Sequence, residues 1–145
     1  MADKNTRYRD LLAPGPEVFE ALASEVMGNL PSHFKDWVEN VIVRVEDFPD
    51  DDMMEELGLN SRYELLGLYH CADLMQADPL VEGEEDQIFL FRRAILDYWA
   101  ENEDSLSAII AHVLIHEIGQ NFNLSEEEGR QIEEQATRTG GRALH

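Results

Sequence analysis

The segment HVLIHEIGQNFNLSEEE, residues 112–128, joins the longest apolar helix predicted for this chain to the helix that follows it. Apolar residues recur on two opposite sides of a helix from residue 105 to about residue 122, so we expect neighbouring elements to cover it on both sides. His116, Glu117 and Gln120 fall on one of these sides. Because burying polar groups costs free energy unless each has a partner, these three side chains indicate a site.

The chain must turn sharply directly after this helix. Asn123 separates it from a new helix that starts behind Ser125, and asparagine is among the non-glycine residues that most readily adopt positive φ. Ser125 and Glu128 have the spacing of a capping box, which marks the start of a helix. Glu126, ten residues beyond His116, is therefore predicted to return towards the imidazole of His116.

The spacing of His116 and Gln120 is that by which one helix offers two ligands to a single metal ion. The intervening Glu117 then lies beside the metal, where a carboxylate activates water. Glu126 would supply a third ligand. Zinc sites are built from cysteine, histidine and carboxylate, whereas the amide oxygen of Gln120 is a neutral and weak donor. The residues therefore predict a zinc ion that is bound weakly or not at all.

The pattern resembles the extended zinc motif of the metzincins. More closely, it resembles the small bacterial zincin-like metallopeptidase family, a minimal zincin that carries HExxHxxGxxD in a short α+β domain. The segments ELLGLYH, DQIFLFRRAIL and HVLIHEIG resemble, in that order, two strands and the zinc helix of the family. The resemblance covers roughly residues 15–135 and implies a metal-assisted hydrolysis of peptides.

Each position of the family motif has a counterpart in this chain. The resemblance implies that His116 is the first zinc ligand and Glu117 the general base. Gln120 occupies the position of the second ligand, which is histidine in the family, and Glu126 that of the third ligand, usually aspartate. Asn123 replaces the glycine of the turn, a change that the backbone preference of asparagine tolerates.

The rest of the chain predicts an α+β fold in which a small mixed sheet of about three to four strands packs against helices. β-branched and aromatic runs predict strands at about 41–47, 63–70 and 87–91. We expect a flexible N-terminal segment over residues 1–15, a single zincin-like domain over 16–137 and a flexible tail over 138–145.

The charge balance limits the partners. The chain has 11 lysines and arginines against 31 aspartates and glutamates, which gives a formal net charge of −20. Phosphate backbones repel such a chain, so nucleic acid is not an expected partner. The acidity favours solubility, a monomer and, more weakly, attraction of basic peptides or cations. The single cysteine, the polar N-terminal sequence and the lack of a long apolar run predict a cytoplasmic protein that does not enter membranes.

Three interpretations of the motif stay open at this level. The chain is a metallopeptidase with an incomplete zinc site, or it is an inactive zincin that binds a peptide or protein. A site shifted by one helical turn, in which His112 and His116 bind a metal together with a carboxylate, is a third arrangement. The more common role of a residue such as His112 is a hydrogen bond to a neighbouring side chain or to water.

Overall fold

Six helices and three strands make up the described part of the chain, residues 12–71 and 85–143 of a computed structural model. In chain order they are α1 (Pro16–Gly28), α2 (Ser32–Trp37), β1 (Ile42–Glu46), α3 (Asp51–Glu56), β2 (Gly67–His70), β3 (Gln87–Phe91), α4 (Arg92–Glu101), α5 (Leu106–Asn121) and α6 (Glu126–Ala143). The predicted α+β class is confirmed.

The three strands form one mixed sheet in the order β1-β3-β2. β1 runs parallel to β3 with Val43 opposite Ile88, and β2 runs antiparallel to β3 with Leu68 opposite Phe89. β3 is the central strand, and all its residues except Gln87 are buried. This explains its uninterrupted apolar sequence, because both faces of a central strand are covered. β2 forms one edge of the sheet.

The two faces of the sheet have separate cores. Ile88 and Leu90 of β3 lie on the face covered by α1 and α5, where they pack with fully buried residues such as Ile110 and Leu114. The alternate residues of β3, including Phe89, lie on the other face, with Met53 of α3 and Ala94 of α4. Burying each large apolar side chain contributes about 1.5–3 kcal/mol, so these contacts fix α5 against the sheet.

β2 is shorter than its sequence predicts: it starts at Gly67, whereas the sequence predicts a start near residue 63. The preceding residues form a turn held by side chains. The hydroxyl of Ser61 accepts from the N–H of Tyr63 at 3.1 Å, and the carboxylate of Glu64 accepts from the N–H of Asn60 at 2.7 Å. Such local side-chain bonds compete with strand pairing, which delays the start of the strand.

Some predicted features lie partly or wholly outside the described residues. Residues 1–11 of the predicted flexible N-terminal segment are among them, as are residues 72–84 of the predicted domain and residues 144–145 of the predicted tail. The helical backbone of α6 extends to Ala143, well into the segment 138–145. Within the described ranges, no helix combines the length and the apolar character that crossing a bilayer requires.

Candidate functional site

α5 positions most of the candidate site. Its N-terminus is capped by Ser105, whose hydroxyl accepts from the N–H of Ala108 at 3.1 Å. His112, His116 and Gln120 follow one another at intervals of four residues, so they form a single line along the helix, and all three are exposed. The prediction that His116 and Gln120 lie on a covered side of the helix was wrong, because this line faces an open space between α5 and α6.

The turn after α5 has the backbone that its sequence predicts. Asn123 has a φ of 57°, and it is the one non-glycine residue with positive φ in the described part of the chain. The N–H of Leu124 donates to the carbonyl of Gly119 at 2.9 Å and closes the turn. The capping box is also present, since the N–H of Glu128 donates to the hydroxyl of Ser125 at 3.1 Å. The turn therefore brings α6 back alongside α5.

A cavity of about 520 Å³ lies between α5 and α6. Its walls include His116, Gln120 and Glu126, the three predicted metal ligands, so the structure places these residues around one space. Sequence reasoning missed Arg130 and Glu133, which also line it. They lie four and seven residues after Glu126 on α6, and this helical periodicity is a signal from which they could have been found.

Glu117 points to a different side of α5, towards the edge strand. Its Oε1 accepts a hydrogen bond from the backbone N–H of Tyr69 in β2 at 3.1 Å. Burial of this half-buried carboxylate raises its pKa, and the bond from Tyr69 and the nearby His116 oppose that rise. A second link lies nearby, where the thiol of Cys71 donates to Oδ1 of Asn121 at 3.0 Å. The predicted general base is thus engaged in joining α5 to β2.

Tyr69 is held at both ends. Its backbone N–H bonds to Glu117, and its hydroxyl donates to Oδ2 of Asp86 at 2.7 Å. Burial and the adjacent carboxylate both raise the pKa of the phenol, so it stays neutral at physiological pH. Its ring meets that of Phe122 edge-on, with the ring centroids 6.2 Å apart. These contacts fix β2 relative to the end of α5.

His112 bonds to a neighbouring helix. Its Nδ1 lies 3.0 Å from Oε2 of Glu133 on α6, and its ring stacks on that of His116 with the centroids 5.9 Å apart. The contact with Glu133 is a hydrogen bond to a neighbouring side chain, the more common role for a histidine at this position. The shifted metal site would instead need both imidazoles and a carboxylate to meet at one point.

The donor set does not fit a zinc ion of the family type. Within residues 12–71 and 85–137, no three histidine, cysteine, aspartate or glutamate side chains are grouped so that they could hold a metal. Among the three predicted ligands, only His116 and Glu126 belong to the residue types from which zinc sites are built. The third, Gln120, offers a neutral amide oxygen. The residues of this predicted site that the structure describes therefore supply two ligands of zinc-binding type and not three.

Comparison with known proteins agrees with the motif. A search of curated proteins gave no match. The family described as zincin-like metallopeptidase matches residues 38–136, which is more than half of the chain and includes the whole sheet, α5 and the turn into α6. The resemblance that the sequence predicts is confirmed, and the chain belongs to the zincin-like metallopeptidase family.

Proposed function

We propose that this member of the zincin-like metallopeptidase family binds peptides without cleaving them. The observation that carries the proposal is the division of its polar residues around α5. His116, Gln120 and Glu126 line the cavity beside α6, while Glu117 bonds to the backbone of β2. A general base must reach the proton that it removes, and a catalytic zinc ion needs three protein ligands. In the described part of the chain, the carboxylate of Glu117 is instead bonded to β2, and only His116 and Glu126 of the three predicted ligands are of types that usually bind zinc.

The position of β2 supports a peptide ligand. Among the described strands β2 lies at an edge, and an extended peptide can add to such an edge through backbone hydrogen bonds, here to groups other than the N–H of Tyr69, which bonds to Glu117. The exposed line of α5 lies between this edge on one side and α6 on the other, because Glu117 contacts Tyr69 and His112 contacts Glu133. A peptide along β2 would therefore have the cavity within reach of its side chains.

A second candidate function is a weakly metal-dependent peptidase. One observation favours it: burial raises the pKa of Glu117, as it does for many carboxylates that act as general bases. His116 is its immediate neighbour on α5. This alternative requires a metal held by His116, Glu126 and a further group, so it differs from the first in a property that can be measured directly.

Zinc titration separates the two functions. We expect weak zinc binding by the natural chain and a gain of about a hundredfold in Gln120→His. The ligands of a structural zinc site together supply roughly 10–16 kcal/mol, so one ligand is worth a few kcal/mol. Affinity is measured by competition with a chromogenic chelator. Gln131→His, which adds a histidine on an exposed part of α6, is the control and should bind no better than the natural chain.

Two results would contradict the proposal. One is stoichiometric zinc bound tightly by the natural chain, together with cleavage of a casein digest that Glu117→Gln abolishes. The other is the absence of peptide binding. It is tested by adding a mixture of blocked hexapeptides to ¹⁵N-labelled protein, where we expect the amide signals of Gly67 and Tyr69 to shift. Unchanged β2 signals at millimolar peptide would mean that this edge takes no peptide.

A further inference from the structure

The cavity between α5 and α6 combines apolar walls with acidic groups. Ile115 and Leu124 supply apolar surface, and Gly119 and Gly129 leave their parts of the wall without side chains. A Cβ atom built on Gly129 would meet no atom within 4 Å, so the space next to this residue is open. A volume of about 520 Å³ lies within the range of roughly 300–1,000 Å³ that is usual for ligand pockets.

The charge of the cavity is negative. Glu126 and Glu133 both line it, and Glu133 is partly enclosed, since only 28% of its side chain is exposed. Arg130 also lines the cavity, but its guanidinium forms an ion pair with Glu127. Among the described residues that line the cavity, Arg130 is the one permanent cation, and it is paired with a carboxylate outside the lining. The net charge of −20 on the whole chain strengthens the attraction for a cationic ligand.

We propose that this cavity binds the arginine or lysine side chain of a bound peptide; the proposal rests on the peptide-binding function and names its ligand class. Such a side chain has an apolar stem and a charged head, so it matches a cavity with apolar walls and carboxylates. The stem would lie against Ile115 and Leu124. The head would bind Glu133, with a guanidinium able to form two parallel hydrogen bonds to its carboxylate. Glu126 lies about 10 Å away along α6 and adds negative charge to the cavity.

Contact with Glu133 has a consequence for α5. The two carboxylate oxygens of Glu133 lie 3.0 and 3.2 Å from Nδ1 of His112. A guanidinium that reaches Glu133 must share this carboxylate with the imidazole or displace it. Binding of the cationic side chain should therefore alter the ring environment of His112, and this change reports on the cavity itself and not on β2.

The test compares N-acetyl-arginine amide with N-acetyl-citrulline amide, a neutral probe of nearly the same shape. Binding is measured by NMR titration of labelled protein. We expect the arginine probe to bind about tenfold more tightly than citrulline, to shift the amides of Gly119 and Gly129 and the ring signals of His112, and to weaken as salt is added.

Two variants locate the charge and the space. Glu133→Gln should lower the affinity for the arginine probe about tenfold, whereas Glu134→Gln, an exposed neighbour on the same helix, should leave it unchanged. Gly129→Leu should fill the cavity and abolish binding while keeping the helix, because leucine is a better helix former than glycine. The far-UV circular dichroism of each variant checks that it is folded.

The outcomes separate this proposal from the proposed function. Equal binding of both probes, or shifts confined to residues outside the cavity, would overturn the cationic-ligand proposal, and so would an unchanged affinity in both Glu133→Gln and Gly129→Leu. Hexapeptides that shift β2 regardless of their charge would leave the peptide-binding function intact. Tight zinc and peptide cleavage by the natural chain would overturn that function, whatever the arginine probe does.

Discussion

Gly67→Ala is predicted to loosen the contact between β2 and α5 on which the candidate site depends. A Cβ atom on this residue would lie 2.5 Å from Cγ1 of Val113 and 3.0 Å from the backbone carbonyl oxygen of Phe89. Non-bonded carbon atoms pack best at about 3.5–4.0 Å, so one of these neighbours must move. The carbonyl belongs to β3, and its movement would disturb the sheet.

The magnitude follows from two opposing effects. Forcing an extra methyl group into a packed core costs about 1–3 kcal/mol. Replacing glycine by alanine also restricts the unfolded chain, which returns about 0.4–1 kcal/mol. We therefore expect Gly67→Ala to lower the free energy of unfolding by about 1–2 kcal/mol. In a Val113→Ala background the closest contact is gone, so the same substitution should cost about 1 kcal/mol less.

Urea unfolding followed by circular dichroism measures these free energies, and hydrogen exchange of the Tyr69 amide reports on its bond to Glu117. Faster exchange of this amide is expected in Gly67→Ala. Gly28→Ala is the matched control, because a Cβ atom there meets nothing within 4 Å. It should leave stability equal or slightly higher. A Gly67→Ala protein as stable as the parent, with unchanged exchange at Tyr69, would refute the argument that β2 is packed too closely for a side chain.

Glu117→Gln should raise the free energy of unfolding near pH 7 and have less effect near pH 4. Burial raises the pKa of Glu117 above its ordinary value of 4.5, so the folded protein favours the neutral carboxyl and loses stability as this group ionises with rising pH. Urea unfolding at both pH values measures the effect, and a larger gain at the lower pH would contradict it. Asn123→Ala should cost about 1 kcal/mol in thermal unfolding because its φ is 57°, whereas Asn123→Gly should cost nothing. Ser125→Ala should cost about 1 kcal/mol by the same measurement, since it removes the cap that accepts from the N–H of Glu128, and no loss would mean that water replaces this cap.

The elements whose local sequence agrees with their environment could be predicted from the sequence. β3 is a short uninterrupted apolar run because both of its faces are covered, and α5 is apolar on two sides because the sheet and other helices surround it. The turn at Asn123 follows from the scarcity of residues that accept positive φ between two helices. In each case a local rule and the global fold require the same residues.

Contacts between residues far apart in the chain could not be predicted in this way. Nothing near Glu117 indicates that its carboxylate bonds to a backbone N–H in β2, because Tyr69 lies 48 positions earlier. The exposure of His116 and Gln120 was missed for a related reason. A helical projection shows which residues share a side of α5, but the open space beside that side depends on how α6 packs after the turn.

Because Glu117 bonds to β2 and does not line the cavity, we expect metal binding and catalysis to be separable in this protein. If His116 and Glu126 are ligands as proposed, Gln120→His would add a third ligand beside them, yet it would not release Glu117 from Tyr69. For Glu117 to act on a water molecule, its carboxylate must exchange the N–H of Tyr69 for that water. A Gln120→His protein that binds zinc but cleaves no peptide would therefore identify the bond to β2, and not the missing ligand alone, as the barrier to hydrolysis.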